Sequence, residues 1–314
     1  MLKVNFQFKF RMLQYKSYNR AAITHPGYVF SILGFAMLFG LISSILVSPL
    51  LNLLIADEAY KLFTEQILVS ILTLLLPVWL TEQYYRRKNF THVYRVDLRE
   101  LKGNDFIYGV ILLLCMIPIT SFSSYIMNMI PIPAPLQEII TEAQAMMDKT
   151  YELFLYEKRP LGIMLSLLSV VIIAPITEEY FFRGGLQGWM LSNIKNVHIS
   201  IWVIAFIFGI IHMQWSGILS RILLGAIIGY SALYGSIGLA ILVHFLNNLF
   251  AFVLAQITGN ENFPDPSSAI EIVGISLLFI LAAFIAIKVF QRMKAENVTE
   301  EFIKENIEDQ NYED

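Results

Sequence analysis

Cysteine is almost absent from this chain: Cys115 is the only one in 314 residues. That excludes an intrachain disulfide and any cysteine-based zinc site, and it leaves the redox compartment open. Charge is scarce too, at 15% of residues against 56% hydrophobic. With so little charge and a mean hydropathy well above zero, the chain reads as a protein that crosses a membrane several times. No internal repeat is visible, which counts against a transporter assembled from duplicated halves. No HExxH element is present. Histidines number five; His25 and His92 fall in non-membrane segments and His198 near a helix end.

The charges that exist are unevenly placed. Ala295 to Asp314 holds eight acids and one lysine, so the rest of the chain holds 21 of the 22 basic residues against 17 of the 25 acidic ones. The acidic tail is expected to be a separate solvated segment, and nothing points to nucleic acid as a partner. Residues 1–27 carry Lys3, Lys9, Arg11, Lys16 and Arg20 without an acid. The apolar core and small-residue site of a cleaved secretory signal are missing there, so the segment is expected to hold the N-terminus in the cytoplasm.

Hydropathy predicts an all-α, polytopic transmembrane bundle of about eight spans around a polar intramembrane cavity. The spans fall near Tyr28–Leu54, Gln66–Tyr84, Phe106–Met129, Leu161–Phe182, His198–Met213, Ile218–Tyr234, Ile237–Ile257 and Ala269–Phe290. Arg86-Arg87-Lys88, Arg183 with Lys195, and Arg292 with Lys294 mark cytoplasmic ends, which puts both termini inside. Asn89 to Asp105 reads as a short interfacial or cytoplasmic element. Pro131, Pro133 and Pro135 break the chain before Leu136–Tyr156, whose apolar residues recur at helical spacing among acids; an amphipathic helix on the outer surface is expected. The chain thus divides into a basic segment (1–27), N-terminal membrane helices (28–160), a core carrying the polar site (161–257), a loop and last helix (258–294), and the acidic tail (295–314).

The stretch Thr177-Glu178-Glu179-Tyr180-Phe181-Phe182-Arg183-Gly184-Gly185 ends an apolar run from Leu161 to Ile176. One charge at mid-bilayer costs about 2.5–3.5 kcal/mol on insertion scales, so an ionisable cluster there marks a functional site by default. Glu179 and Arg183 are four apart and share a helix face, where they can pair; Glu178 points about 100° away. Pro175 cannot donate to the carbonyl of Val171, which loosens the helix beside the carboxylates. Two histidines also lie deep in apolar sequence. His212 follows Phe208 by one turn, and His244 precedes Asn248 by one turn.

These side chains form a coherent hydrolytic set. A carboxylate in a low-dielectric pocket can take a proton from water, imidazole can share that water, and an amide with a second imidazole can donate to a developing oxyanion. The same residues suit zinc: two neutral histidines and a glutamate with an open position form a known catalytic set, so Glu178, His212 and His244 are the alternative metal ligands. Taken singly, the charges can be a snorkelling helix end and each histidine a satisfied structural residue. Gln214, Trp215 and Arg221 can equally be interfacial anchors, and Gly225 with Gly229 is most simply a helix contact.

Glu178-Glu179-x-x-x-Arg183, Phe208-x-x-x-His212 and His244-x-x-x-Asn248, in that order on successive apolar helices, resemble the three motifs of the CAAX-protease and bacteriocin-processing family of intramembrane endopeptidases. The resemblance covers about Leu161 to Phe252. It implies a glutamate-dependent membrane endopeptidase in which Glu178 activates water together with His212; many relatives are labelled metalloproteases, and the metal-free reading is preferred here. His244 and Asn248 are then oxyanion donors, and Glu179 with Arg183 brace the site. The implied partners are the lipid bilayer and a membrane-associated or lipidated peptide, and a bacterial plasma membrane is the expected location. A non-catalytic member that docks a membrane partner and a proton-coupled transporter are the competing classes.

One spatial expectation stays open. At about 1.5 Å per residue, Glu178 and His244 lie within about 10 Å of the cytoplasmic face, whereas His212 falls nearer the outer end of its span. Either that span starts later, with Gly185 to Val197 partly embedded, or the cavity is tall.

Overall fold

The computed structural model describes residues 25–87, 101, 103–194, 196–259 and 265–310. The basic residues Lys3 to Arg20, Lys88 to Glu100, Lys102, Lys195 and Pro264 lie outside the described residues. Within them the chain is helical, with no strand. We number the helices α1 (Pro26–Leu54), α2 (Glu58–Tyr85), α3 (Gly103–Met129), α4 (Gln137–Leu155), α5 (Pro160–Asn193), α6 (Val197–Ile211), α7 (Ile218–Tyr234), α8 (Ile237–Thr258) and α9 (Ala269–Gln310).

Local chemistry sets several of these boundaries. Pro26 opens α1, where its missing N–H costs nothing, and His25 Nδ1 accepts from Gly27 N at 3.0 Å. Asp57 caps α2 by accepting from Tyr60 N at 3.0 Å, so that helix begins well before the apolar run that starts near Gln66. Ser236 Oγ accepts from Leu239 N at 3.0 Å and starts α8, which Gly259 ends at φ 72°.

Seven helices among the described residues are long and apolar enough to cross a membrane; α7 is counted there with its preceding turn, from Trp215. The fifteen-residue α6 is a shorter apolar helix beside them. The outside of the bundle is apolar: Phe30, Met37, Leu53, Ile257, Leu277 and Phe284 are all exposed. In a lipid solvent such side chains carry no penalty, and the chain is an integral membrane protein. α9 is longer than its apolar span, because the helical backbone runs on through 295–310 into the acidic segment expected to stand apart. α4 forms where the amphipathic helix is expected, after the proline-rich break.

The interior is one large apolar cluster drawn from α1, α2, α3 and α5 to α9, including Tyr28, Ile32, Val78, Leu112, Met116, Phe182, Phe208, Ile228, Leu239 and Met293. α7 runs through its middle, with half of its apolar window buried against 11% for α1 and for α9. α6 packs most closely on α7. A Cβ on Gly209 would meet Ile222 Cγ1 at 2.4 Å, and one on Gly225 would meet Ala205 Cα at 3.2 Å. The Gly225, Gly229 pair is thus the close helix contact its spacing suggested.

α5 continues past Phe182 to Asn193, and every residue from Phe181 to Gly188 is buried within the protein. α6 packs alongside it, with Phe208 against Phe182 and His212 one turn beyond Phe208.

Candidate active site

α5 is not a uniform α-helix. It widens into π-helical turns at Leu167–Ile173 and Tyr180–Gln187, flanking the short α-helical piece Ala174–Glu179. The first widening changes which carbonyl Pro175 frees. Ala174 N–H, which would close on Val170 in an α-helix, bonds instead to Ser169 O. In the wider register the next donor to Val170 would be residue 175, and proline has none. The orphaned acceptor is Val170 rather than the expected Val171, and Asn248 Nδ2 of α8 donates to it at 3.0 Å. A buried carbonyl without a partner is costly, so Asn248 closes a gap made by a proline more than seventy residues away in sequence.

Glu179 and Arg183 pair as their four-residue spacing predicts, and both are buried. Arg183 Nη1 donates to Glu179 Oε1 at 3.2 Å, and Nε lies 3.1 Å from Oε2. Arg183 Nη2 donates to Gly225 O at 2.9 Å, and one turn on, Gln187 Nε2 donates to Gly229 O at 3.0 Å. These two rungs tie α5 to α7. They need small residues opposite: a Cβ on Gly229 would sit 2.9 Å from Gln187 Oε1 and from Ile201 Cγ2.

His244 joins this pair. Its Nδ1 lies 2.7 Å from Glu179 Oε1, and its Nε2 lies 3.9 Å from Glu178 Oε2. Because a carboxylate bound to a guanidinium accepts, Nδ1 carries the proton and donates it to Glu179. Glu178 has 18% of its side chain exposed against none for Glu179, while its Oε2 is buried with no hydrogen-bond partner. The two adjacent carboxylates thus stand in different surroundings, Glu179 locked in an ion pair and Glu178 partly exposed with Oε2 unbonded.

His212 caps the C-terminal end of α6. Its Nδ1 lies 2.6 Å from Phe208 O, and since a carbonyl only accepts, Nδ1 again carries the proton and Nε2 presents a lone pair. The ring of Phe208 ties the three motifs together. It is 1% exposed, Arg183 Cζ lies 4.9 Å above it, and the His212 and His244 rings approach it at 4.8 and 5.9 Å. Edge-to-face packing and a guanidinium over the ring face are the favourable geometries for an aromatic quadrupole.

All six candidates read from the sequence, Glu178, Glu179, Arg183, His212, His244 and Asn248, therefore line one region between α5, α6, α7 and α8. Spacing alone did not single out Phe208 as the hub, Gln187 as a second rung, or Val170. Gln187 was within reach of such a reading, being four residues beyond Arg183 just as Gly229 is four beyond Gly225. Among the described residues no three histidine, cysteine, aspartate or glutamate side chains group as metal ligands.

A polytopic helical membrane protein with a buried carboxylate, imidazole and guanidinium cluster is the class that fold and site define. Residues 160–250, the segment carrying the motifs and under a third of the chain, match the family model for Type II CAAX prenyl endopeptidase Rce1-like. No curated protein and no solved structure matches the chain.

Proposed function

We propose that this protein is an intramembrane endopeptidase that hydrolyses a peptide bond in a membrane-associated or lipidated substrate, using water activated by Glu178. The observation that carries this reading is the unequal treatment of the two carboxylates. Glu179 is consumed by Arg183 and His244, while Glu178 stands 3.9 Å from His244 Nε2, too far to hydrogen-bond and suited to an oxygen lying against both.

The chemistry comes from the donors and acceptors. Glu178 takes a proton from water as its oxygen attacks the scissile carbonyl carbon; a C–O bond forms and the carbonyl electrons move onto oxygen. The lone pair on His212 Nε2 accepts the second water hydrogen and orients the attack. Asn248 has two amide hydrogens, of which Val170 takes one, and the other is available to the oxyanion. His244 donates from Nε2 when its ring carries both protons, with Glu179 on the opposite nitrogen as the orienting carboxylate. Each oxyanion donor of this kind is typically worth about 2.7–4 kcal/mol in the transition state. The protonated Glu178 then returns its proton to the leaving amine as the C–N bond breaks. Arg183 keeps Glu179 in its place and does not touch the substrate.

The basic residues that follow α2, Arg86 and Arg87, support a site toward the cytoplasmic face of the membrane. The reading is tested by incubating purified protein with a library of membrane peptides, prenylated and unprenylated, and identifying products by mass spectrometry. Cleavage at a defined bond is expected. Folded protein that cleaves no member would favour the non-catalytic docking class.

A further inference from the structure

His212 stands at the end of α6, where a helix has no following turn to hold it. The turn beyond it has an unusual backbone. Met213 has φ 53°, the only positive φ at a non-glycine among the described residues, at the left-handed position after a helix that glycine normally fills. Something outside the helix must hold this turn in a conformation its own side chain disfavours.

The next residue supplies it. Gln214 is buried, and its amide is held at both ends. Its Oε1 accepts from Arg221 Nη2 of α7, and its Nε2 donates to Asp148 Oδ1 of α4 at 3.2 Å. A guanidinium only donates and an ionised carboxylate only accepts, so the two neighbours fix which way the amide points. The adjacent Trp215 Nε1 donates to Ile130 O at 3.0 Å, pinning the same turn a second time. Gly217 makes room for the clamp, because a Cβ there would fall 1.6 Å from Arg221 Nη1. Arg221 also lies close enough for its charge to act on both His212 and Glu178.

We propose that Gln214 is a positioning residue for His212: clamped between Arg221 and Asp148, it fixes the left-handed turn at Met213 and so sets the orientation of the imidazole at the end of α6. The clamp also makes the amphipathic helix α4 part of the site, since Asp148 is its contribution. The catalytic consequence rests on the proposed protease function; the structural one does not. An imidazole that shares a water with a carboxylate must be held closely, and misplacement of about 1 Å can cost roughly 100-fold in rate.

The experiment uses full-length protein with 15N-labelled histidine, the His212 signals assigned by their loss in His212→Asn, in wild type, Gln214→Ala, Gln214→Glu and Gln214→Glu with Asp148→Asn. Wild type is expected to show one neutral His212 tautomer protonated on Nδ1. Gln214→Glu sets two carboxylates against each other and is expected to average that signal. Adding Asp148→Asn restores a donor opposite the new carboxylate and is expected to return it. Where cleavage is measurable, kcat should fall roughly 10- to 100-fold in the single variants and recover in the double variant, with KM changed less than about twofold. An unchanged His212 signal in folded Gln214→Ala, or in Gln214→Glu if the alanine variant does not fold, overturns the inference. A signal that responds as expected in a protein that cleaves nothing would leave the positioning role standing and sink the protease reading instead.

Discussion

His244 Nδ1 sits 2.7 Å from Glu179 Oε1, so the glutamate next to the proposed base grips the imidazole that faces it. Glu179 is held in turn by Arg183, whose side chain is buried among Phe182, Phe208 and the Gly225 carbonyl. The adjacent glutamates therefore respond differently to substitution. Glu179→Ala strands a buried guanidinium and is expected to cost about 3–5 kcal/mol of stability as well as activity. Glu178→Ala should abolish cleavage and leave thermal unfolding in detergent within about 1 kcal/mol of wild type. Equal destabilisation by both would remove the distinction.

The bond from Asn248 to Val170 O depends on Pro175. Asn248→Ala leaves that carbonyl unsatisfied and should cost about 1–3 kcal/mol. Pro175→Ala restores a backbone N–H, and in that background the Asn248→Ala cost should shrink by at least half. Additive costs in the double-mutant cycle would show that the proline and the amide are not coupled.

Gly225 and Gly229 admit the Arg183 and Gln187 rungs. Alanine at 229 would lie 2.9 Å from both Gln187 and Ile201, an overpacking expected to cost about 1–3 kcal/mol. Gly274, where a Cβ meets nothing within 4 Å, is the control, and alanine there should leave stability unchanged or slightly raised. Chemical denaturation of the two variants checks the contrast.

Much of this arrangement was legible in the sequence. The pairings Glu179 with Arg183 and Phe208 with His212 follow from four-residue helical spacing, and the apolar runs place the helices that carry them. What periodicity cannot supply is contact between helices distant in sequence. Hence spacing assigns no role to Gln214, which the fold sets between Asp148 and Arg221, and does not show the Gln187 rung. The π-helical register of Leu167–Ile173 moved the freed carbonyl by one residue, because the shift is a response to packing and leaves no mark in spacing. The start of α2 at Glu58 was hidden for another reason: a capping aspartate lets a helix begin in polar sequence ahead of its apolar run.

A second charged cluster, away from the site, gives a pH prediction. Arg159 bonds Asp57 and Glu157 and lies 4.3 Å over the Tyr60 ring, joining the start of α5 to that of α2. Its guanidinium holds both carboxyls down at about 2, from ordinary values of 3.8 and 4.5. A lowered folded-state value means stabilisation that is complete above about pH 5 and lost as pH falls toward 2. The difference in Tm between wild type and Arg159→Gln should be flat from pH 8 to 5 and shrink below 4. A difference that persists at pH 2 would mean the pair is not its source.

Cleavage of a membrane peptide by wild type and Glu178→Gln, each with and without a metal chelator, separates a glutamate-activated water from a metal-bound one. Chelator-resistant cleavage by wild type, reduced at least about 100-fold in a folded Glu178→Gln, is the predicted result. Cleavage by Glu178→Gln at the wild-type rate would contradict a glutamate-activated water, and chelator-sensitive cleavage restored by zinc would replace it with a metal-bound one.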